Sequence, residues 1–561
     1  MSTTARTRRP HTRSKTGCLT CRKRRVRCDG GKPTCARCSS AGRDCEFAEP
    51  ELPLRDRKAI FLPGEQAPWI VESDTPVTLV TKSPFAKSVE PFDCLGLDMS
   101  LRSRELLHYF HHSHDSSDLI LTKASRNIFS SVAQHPDALR DTLLVAGLHY
   151  AWTVGDLQTY KSTFLFHKVS TIGILNRWLQ NISQPGLMTF IRHVSILSFI
   201  EASYGNVGDT EAHVNGLINA VHLLSPLDDD FGNRTSLDEE LANRYLLLTH
   251  YAYQGFKARI LGSDSLKNMF RQNNTADFPT FVSLIHLWKT QNVGHLEMRL
   301  NAMKLLPFFF AVLPSSTQFH NIDASPLIEH LKHVTISTQT ASEDRYKCDP
   351  SWEWIEGSES RLLCATISSH FSSMFEDDMF SSSCAKYSIS WSGMCAASSL
   401  YMHNVLELWD GGEPMNTGLL RRYLCIMKKD LEQTLDTLGS SDGSDFWLWR
   451  AFLGMHSITK HQENAHDPTL DDIADVYHGL VETWKMITGI TLWEDAHQRL
   501  ISIAWPDRQG HELEPNAQPL FRSVQELRVI PSTGIEIFPD TKLTSRWEID
   551  PVGLAIVKSA L

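Results

Sequence analysis

The chain has 561 residues, 42% of them hydrophobic and 21% charged. That length suits about three or four domains, and so much apolar content excludes collagen, a coiled-coil rod or a small disulfide scaffold. The formal net charge of −10 hides an asymmetry: residues 1–45 hold 13 Lys and Arg against 2 Asp and Glu, and the other 516 residues hold 42 against 63. A basic end on an acidic body suggests a polyanion-binding segment.

The chain opens with a polar, basic stretch that we read as a flexible arm over residues 1–14, carrying Arg6, Arg8, Arg9 and Arg13, with Lys15 just beyond. No apolar run follows it, so no signal peptide is expected. The longest strongly apolar run, Leu305–Leu313, is too short to cross a bilayer, and no membrane partner is expected. In a reducing compartment clustered cysteines bind metal rather than form disulfides.

Of 12 cysteines, six lie in one cluster: Cys18, Cys21, Cys28, Cys35, Cys38 and Cys45. The spacing C-x2-C-x6-C recurs after a shift of 17 residues. The repeat predicts two similar turn–helix units about a local two-fold. A structural zinc takes four thiolates in a tetrahedron. Two ions need eight ligand positions, and six thiolates fill them if two bridge. The symmetric choice is Cys18 and Cys35. An iron–sulfur centre competes, but its four-thiolate clusters do not use six cysteines so symmetrically. Between residues 18 and 45 only Leu19, Val26 and little else is apolar. Metal binding must therefore supply the folding free energy.

The halves differ in charge. The segment expected as the first helix reads Arg22-Lys23-Arg24-Arg25-Val26-Arg27, and its counterpart reads Ser39-Ser40-Ala41-Gly42-Arg43-Asp44. One half is suited to phosphates and base edges, the other to scaffolding. The candidate DNA-binding residues are Arg13, Lys15, Arg22, Lys23, Arg24, Arg25 and Arg27.

These cysteines, with Arg22, Arg24, Arg25, Val26 and Asp29, and with Lys32-Pro33 before Cys35, resemble the zinc binuclear cluster (Zn2Cys6) of fungal transcription factors. The resemblance implies two zinc ions bridged by Cys18 and Cys35. It implies a first helix in the major groove over a CGG-like triplet of double-stranded DNA, with Arg25 at the main base contact and Arg24 and Arg27 flanking. It also implies a turn at Pro33, often cis, and a nuclear location. The family usually has Lys at positions 25 and 27, where this chain has Arg, a larger and bidentate donor.

Residues 15–48 are thus the expected DNA-binding domain. Residues 49–98 read as a proline-rich linker: Pro50, Pro53, Pro63, Pro68, Pro76, Pro84 and Pro91 fall in it, without a/d heptads for a coiled coil. Monomeric binding and homodimerisation through the helical body both stay open.

From about residue 100 the periodicity is helical. Helices are expected over 101–112 (Leu106, Leu107, Phe110 on one face), 137–152 (Leu139, Leu143, Ala146, Tyr150) and 158–180 (Tyr160, Phe164, Ile172, Leu175, Leu179). Others are expected over 186–204, 210–224, 238–261 and 296–312. Strand-like alternation is scarce before residues 529–538. The fold class is therefore mostly α, with a multi-helix body over 99–505 and a C-terminal extension over 506–561. The stretch Leu106–Leu224, with His213, Gly216 and Leu217, is similar to the α-helical regulatory domain of zinc-cluster transcription factors. Coactivator or corepressor proteins are expected as its partners.

Three features suggest other chemistry. Gly439-Ser440-Ser441-Asp442-Gly443 fits a G-x-S-x-G elbow, but a helical run precedes it where a strand is required, so we expect a polar inter-helix loop. His108, His111, His112 and His114 cluster without a carboxylate or cysteine to complete a metal site. Acidic–aromatic stretches at 352–356 and 374–380 have the composition of activation segments. No enzyme is expected. The alternative reading is an enzyme or a metabolite-sensing helical protein carrying an appended zinc-cluster module.

Overall fold

The computed structural model describes residues 17–24, 26–47, 97, 99–112, 132, 135–180, 184–226, 236–262, 293–343, 358–374, 386–409, 414–464, 467–507 and 517–523. Arg13, Lys15, Arg25, most of the linker, His114, the segments 352–356 and 375–380 and the alternating run 529–538 lie outside them. Two compact units divide the chain, residues 1–83 and 84–561.

The first unit holds two short helices in contact, α1 (Leu19–Lys23) and α2 (Ala36–Ser39). Helices this short are not stable alone. Each starts at a cysteine in extended conformation, Cys18 (φ −61°, ψ 153°) and Cys35 (φ −68°, ψ 148°). The Lys32–Pro33 bond is cis. Leu19 N–H donates to Glu46 O at 2.7 Å and Thr20 Oγ1 to Asp44 O at 2.8 Å, which ties residues 44–46 back to α1.

The second unit is a helical body of α3 (Ser103–His112), α4 (Pro136–Val154), α5 (Lys161–Gln180), α6 (Gln184–Tyr204), α7 (Val207–Leu224), α8 (Leu237–Gly262), α9 (Val293–Phe309), α10 (Ser325–Glu343), α11 (Ser358–Ser372), α12 (Trp391–Leu400), α13 (Thr417–Gln433), α14 (Ser441–Asn464), α15 (Asp471–Thr488), α16 (Trp493–Ile503) and α17 (Ala517–Ser523). The fold is mostly α, as the periodicity predicts. Among the described residues the strands are β1 (Ile322–Asp323) and β2 (Ser388–Ile389), an antiparallel pair. No described helix is long and apolar enough to cross a membrane.

Within the body α4 is central and nearly buried all round. Pro136 starts it, Gly155 at φ 100° ends it, and it packs on α3, α5, α6 and α9. The long α8 joins the first half of the body to the second, touching α6 and α7 on one side and α11 and α12 on the other. Beyond it α12 to α16 pack around α14, and one continuous apolar cluster runs from Met99 to Phe521. The close approach of α14 and α15 rests on Gly454, where a Cβ would lie 2.1 Å from the Tyr477 ring.

The expected helix faces recur, with one correction. Ile172 is 37% exposed. The buried row of α5 is Thr163, Phe164, His167, Thr171, Leu175 and Leu179. Ile172 sits about 100° round the helix from Thr171. Polar side chains fill part of that row: His167 Nε2 lies 2.8 Å from Ser103 Oγ.

Candidate metal centre and nucleic-acid interface

In each half the first cysteine precedes a helix, and its sulfur accepts from the N–H three residues on: Cys21 N to Cys18 Sγ and Cys38 N to Cys35 Sγ, both 3.4 Å. The chain must then leave the helix for the third cysteine to return. It does so in the same way twice, with Val26 N donating to Cys21 O at 3.1 Å and Arg43 N to Cys38 O at 3.0 Å. The third cysteines close back alike, Cys18 N to Cys28 Sγ at 3.4 Å and Cys35 N to Cys45 Sγ at 3.2 Å. Each helix also receives a bond from the other half. Leu19 N–H donates to Glu46 O, and Ala36 N–H donates to Asp29 Oδ2 at 3.0 Å. The Ala36 N–H holds the Asp29 carboxyl below its ordinary range. The predicted local two-fold is thus present bond by bond.

The expected helix lengths are corrected. The basic run was expected to be helical, yet α1 stops at Lys23, Arg24 caps it and Arg27 lies beyond. Likewise α2 stops at Ser39, so Ser40 to Asp44 form its exit. The return of the third cysteine sets both ends.

The six sulfurs form two groups of four, one of Cys18, Cys21, Cys28 and Cys35 and one of Cys18, Cys35, Cys38 and Cys45, each with its sulfurs within 4.8 Å of one another. Cys18 and Cys35 are common to both, the pair that symmetry picks as bridges. Their sulfurs are 3.7 Å apart, Cys21 to Cys35 is 3.8 Å and Cys18 to Cys38 is 3.7 Å. A tetrahedron with Zn–S near 2.3 Å sets its sulfurs roughly 3.8 Å apart, so the donor set fits two zinc ions.

The thiols divide the same way. The Cys21 N–H lowers Cys18 against the opposing effect of burial. Burial raises Cys35, but donors including the Cys38 N–H outweigh it and leave it lowered. Burial pushes Cys21 up to about 12 and Cys38 higher still. Cys18 and Cys35 are therefore readier to hold charge than Cys21 and Cys38, which would release their protons on binding a metal.

Around the sulfurs Arg22, Lys23, Arg24 and Arg27 are all exposed. Arg22 and Lys23 fall in the last turn of α1, where the helix dipole favours cations. Arg13, Lys15 and Arg25 lie outside the described residues.

The other sequence features resolve differently. Among the described residues the two sulfur groups are the sets of His, Cys, Asp or Glu close enough to hold an ion. The His108 and His112 rings lie 4.4 Å apart, and burial pushes His111 down to about 4. Gly439 ends a 3-10 helix, and Ser440 Oγ accepts from Gly443 N at 3.2 Å at the start of α14. The motif is a helix junction without the strand an elbow needs.

Comparison with known proteins agrees with this geometry. Residues 16–53 match the fungal Zn(2)-Cys(6) binuclear cluster domain, and that match does not extend into the helical body. The chain is 52% identical over 52 residues to transcription factor lfc1 of Flammulina velutipes, covering 9% of this chain and 18% of that protein. It is 59% identical over 34 residues to transcriptional regulatory protein moc3 of Schizosaccharomyces pombe, 6% and 7% of the two chains. It is 37% identical over 81 residues to sterol uptake control protein 2 of Saccharomyces cerevisiae, 14% and 9% of the two chains. The matched stretch thus spans under a fifth of each of these relatives. No solved structure matches the chain. The amino-terminal unit is a zinc binuclear cluster domain of the kind found in fungal transcription factors, and it binds two zinc ions.

Proposed function

We propose that the protein is a nuclear, sequence-specific DNA-binding regulator of transcription by RNA polymerase II. The observation that carries this reading is the pair of sulfur groups sharing Cys18 and Cys35, with exposed cations on the adjoining chain. All six cysteines hold the metal pair. Arg22, Lys23, Arg24, Arg25 and Arg27 meet a CGG-like triplet and its phosphates, and Arg13 and Lys15 follow the backbone from the arm. The domain layout proposed is arm 1–14, cluster 15–48, linker 49–98, regulatory body 99–505 and extension 506–561, of which α17 packs onto the body through Ala517, Leu520 and Phe521. The acidic body is repelled by DNA. That leaves it to dimerise or to meet coregulators.

Fluorescence anisotropy of the full chain on CGG-containing and scrambled duplexes tests the reading. Chelation is expected to abolish the preference for CGG, and unchanged binding would reject the mechanism. Arg25→Ala is expected to relax sequence preference by about 1–3 kcal/mol, while Arg8→Ala weakens binding to all sequences alike.

A further inference from the structure

The body contains a cleft of about 940 Å³ between α7, the start of α13 and the turn leading into α15. That is within the range of roughly 300–1,000 Å³ that small-molecule sites occupy. Its walls are largely apolar and carry a few neutral donors and acceptors. Asn215 and Asn219 lie one helical turn apart on α7, and Asn416 caps α13 opposite them.

Two adjacent arginines reach this cleft and differ in their partners. Arg421 is neutralised by a two-pronged pair with Asp472, each N–O distance 2.7 Å, and that carboxylate also lines the cleft. Arg422 is 4% exposed. Its Nη1 donates to Asn243 Oδ1 at 2.9 Å and its Nη2 to Ser225 O at 2.5 Å, both neutral acceptors. Among the described residues no carboxylate forms an ion pair with it. Cys425 and Glu239 act on it only through their charge, and Glu239, Glu240 and Asp430 line a smaller neighbouring pocket that Arg422 also borders. A buried charge is costly unless an opposite charge answers it. Burial pushes Arg422 down to about 10, so it is still a cation at neutral pH.

We infer that this cleft binds a small metabolite bearing a carboxylate or phosphate, with Arg422 supplying the opposite charge and Asn215, Asn219 and Asn416 holding its polar groups. The Arg422 charge answers either oxyanion, through the N–H groups left over from its bonds to Asn243 and Ser225. The first turn of α13 adds the positive end of a helix dipole. Held between α7 and α13, the ligand would tie the first half of the body to the second. The inference does not rest on the DNA-reading proposal.

The test is the thermal unfolding of the full chain, followed by helical circular dichroism, with succinate or inorganic phosphate titrated at constant ionic strength against sodium chloride. A saturable rise in Tm with either anion is expected, and which anion acts distinguishes a carboxylate ligand from a phosphate one. Asn219→Asp places a like charge on the cleft wall and is expected to weaken that response roughly tenfold or more. Asn215→Asp, at an exposed position of α7, is expected to act in the same direction if the first variant folds poorly. The DNA affinity of both variants without anion should match the wild type, which separates this outcome from the behaviour of the cluster. No saturable shift with either anion, or the same shift in folded variants as in the wild type, would overturn the inference.

Discussion

In residues 17–47 the cluster of buried side chains consists of Cys18, Cys21, Cys35 and Cys38, with Val26, Cys28, Cys45 and Phe47 half-buried against it. In the body one apolar cluster runs from Met99 to Phe521 and encloses Trp152, Trp391, Trp447, Trp449 and Trp484. The first unit has sulfur where the second has hydrocarbon. Each unit's stability therefore depends on something the other does not need. Metal ligation orders two helices of 5 and 4 residues, too short to persist alone, whereas area removed from water orders helices of 7 to 26 residues.

Chelation should separate the two most sharply. Removing zinc is expected to abolish the cluster's structure and specific DNA binding while leaving most of the helical signal at 222 nm, since that signal comes from the body. Loss of both together would show that the units are not independent.

Next in size is the buried pair in the body. Asp430 Oδ2 accepts from Arg450 Nη1 at 2.6 Å, and Asp430 Oδ1 accepts from Ser390 N at 3.1 Å. Burial raises the Asp430 carboxyl even so. Arg450→Met leaves that carboxylate unanswered and is expected to cost about 3–5 kcal/mol in urea unfolding of the body. Zinc content should not change.

A smaller loss is expected from Gly454→Ala. The new methyl meets the Tyr477 ring, whose hydroxyl donates to Leu424 O at 2.8 Å. Overpacking of this kind costs about 1–3 kcal/mol. A stability equal to the wild type's would show that the α14–α15 contact yields more easily than its geometry implies.

The share of acid sensitivity carried by one buried histidine should be the smallest effect. Burial pushes His167 down to about 4, so it is neutral in the folded body and takes up a proton more readily once unfolded. Its contribution is complete above pH 6.5 or so and is lost as pH falls toward 4, at up to about 1.4 kcal/mol per pH unit. The urea midpoint of the body should therefore be lower at pH 5.5 than at pH 7, with zinc present, and a higher midpoint would contradict the assignment.

Much of the cluster was legible in the sequence because metal chemistry is carried by spacing. The 17-residue repeat predicted the bridging pair, and Pro33 marked the turn between the halves. The early end of α1 was not legible, because the return of Cys28 sets it and helix propensity does not. In the body, apolar periodicity placed helices up to about residue 312 and a mostly helical run beyond, but could not show the polar residues that complete their buried rows. Arg244, for example, bonds His370 Nδ1 and Ser373 Oγ from a distant helix, at 2.9 and 2.8 Å. The cleft was hidden for a similar reason, since its walls come from residues near 215, 416 and 470.

The most direct test of the central claim is a count of zinc ions by native mass spectrometry of the full chain. The account predicts two zinc ions on the wild type. It also predicts that Cys35→Ser, which removes a sulfur common to both groups, retains fewer than Cys28→Ser, which removes one from a single group. A single zinc on the wild type, or two zinc ions held firmly by Cys35→Ser, would contradict it.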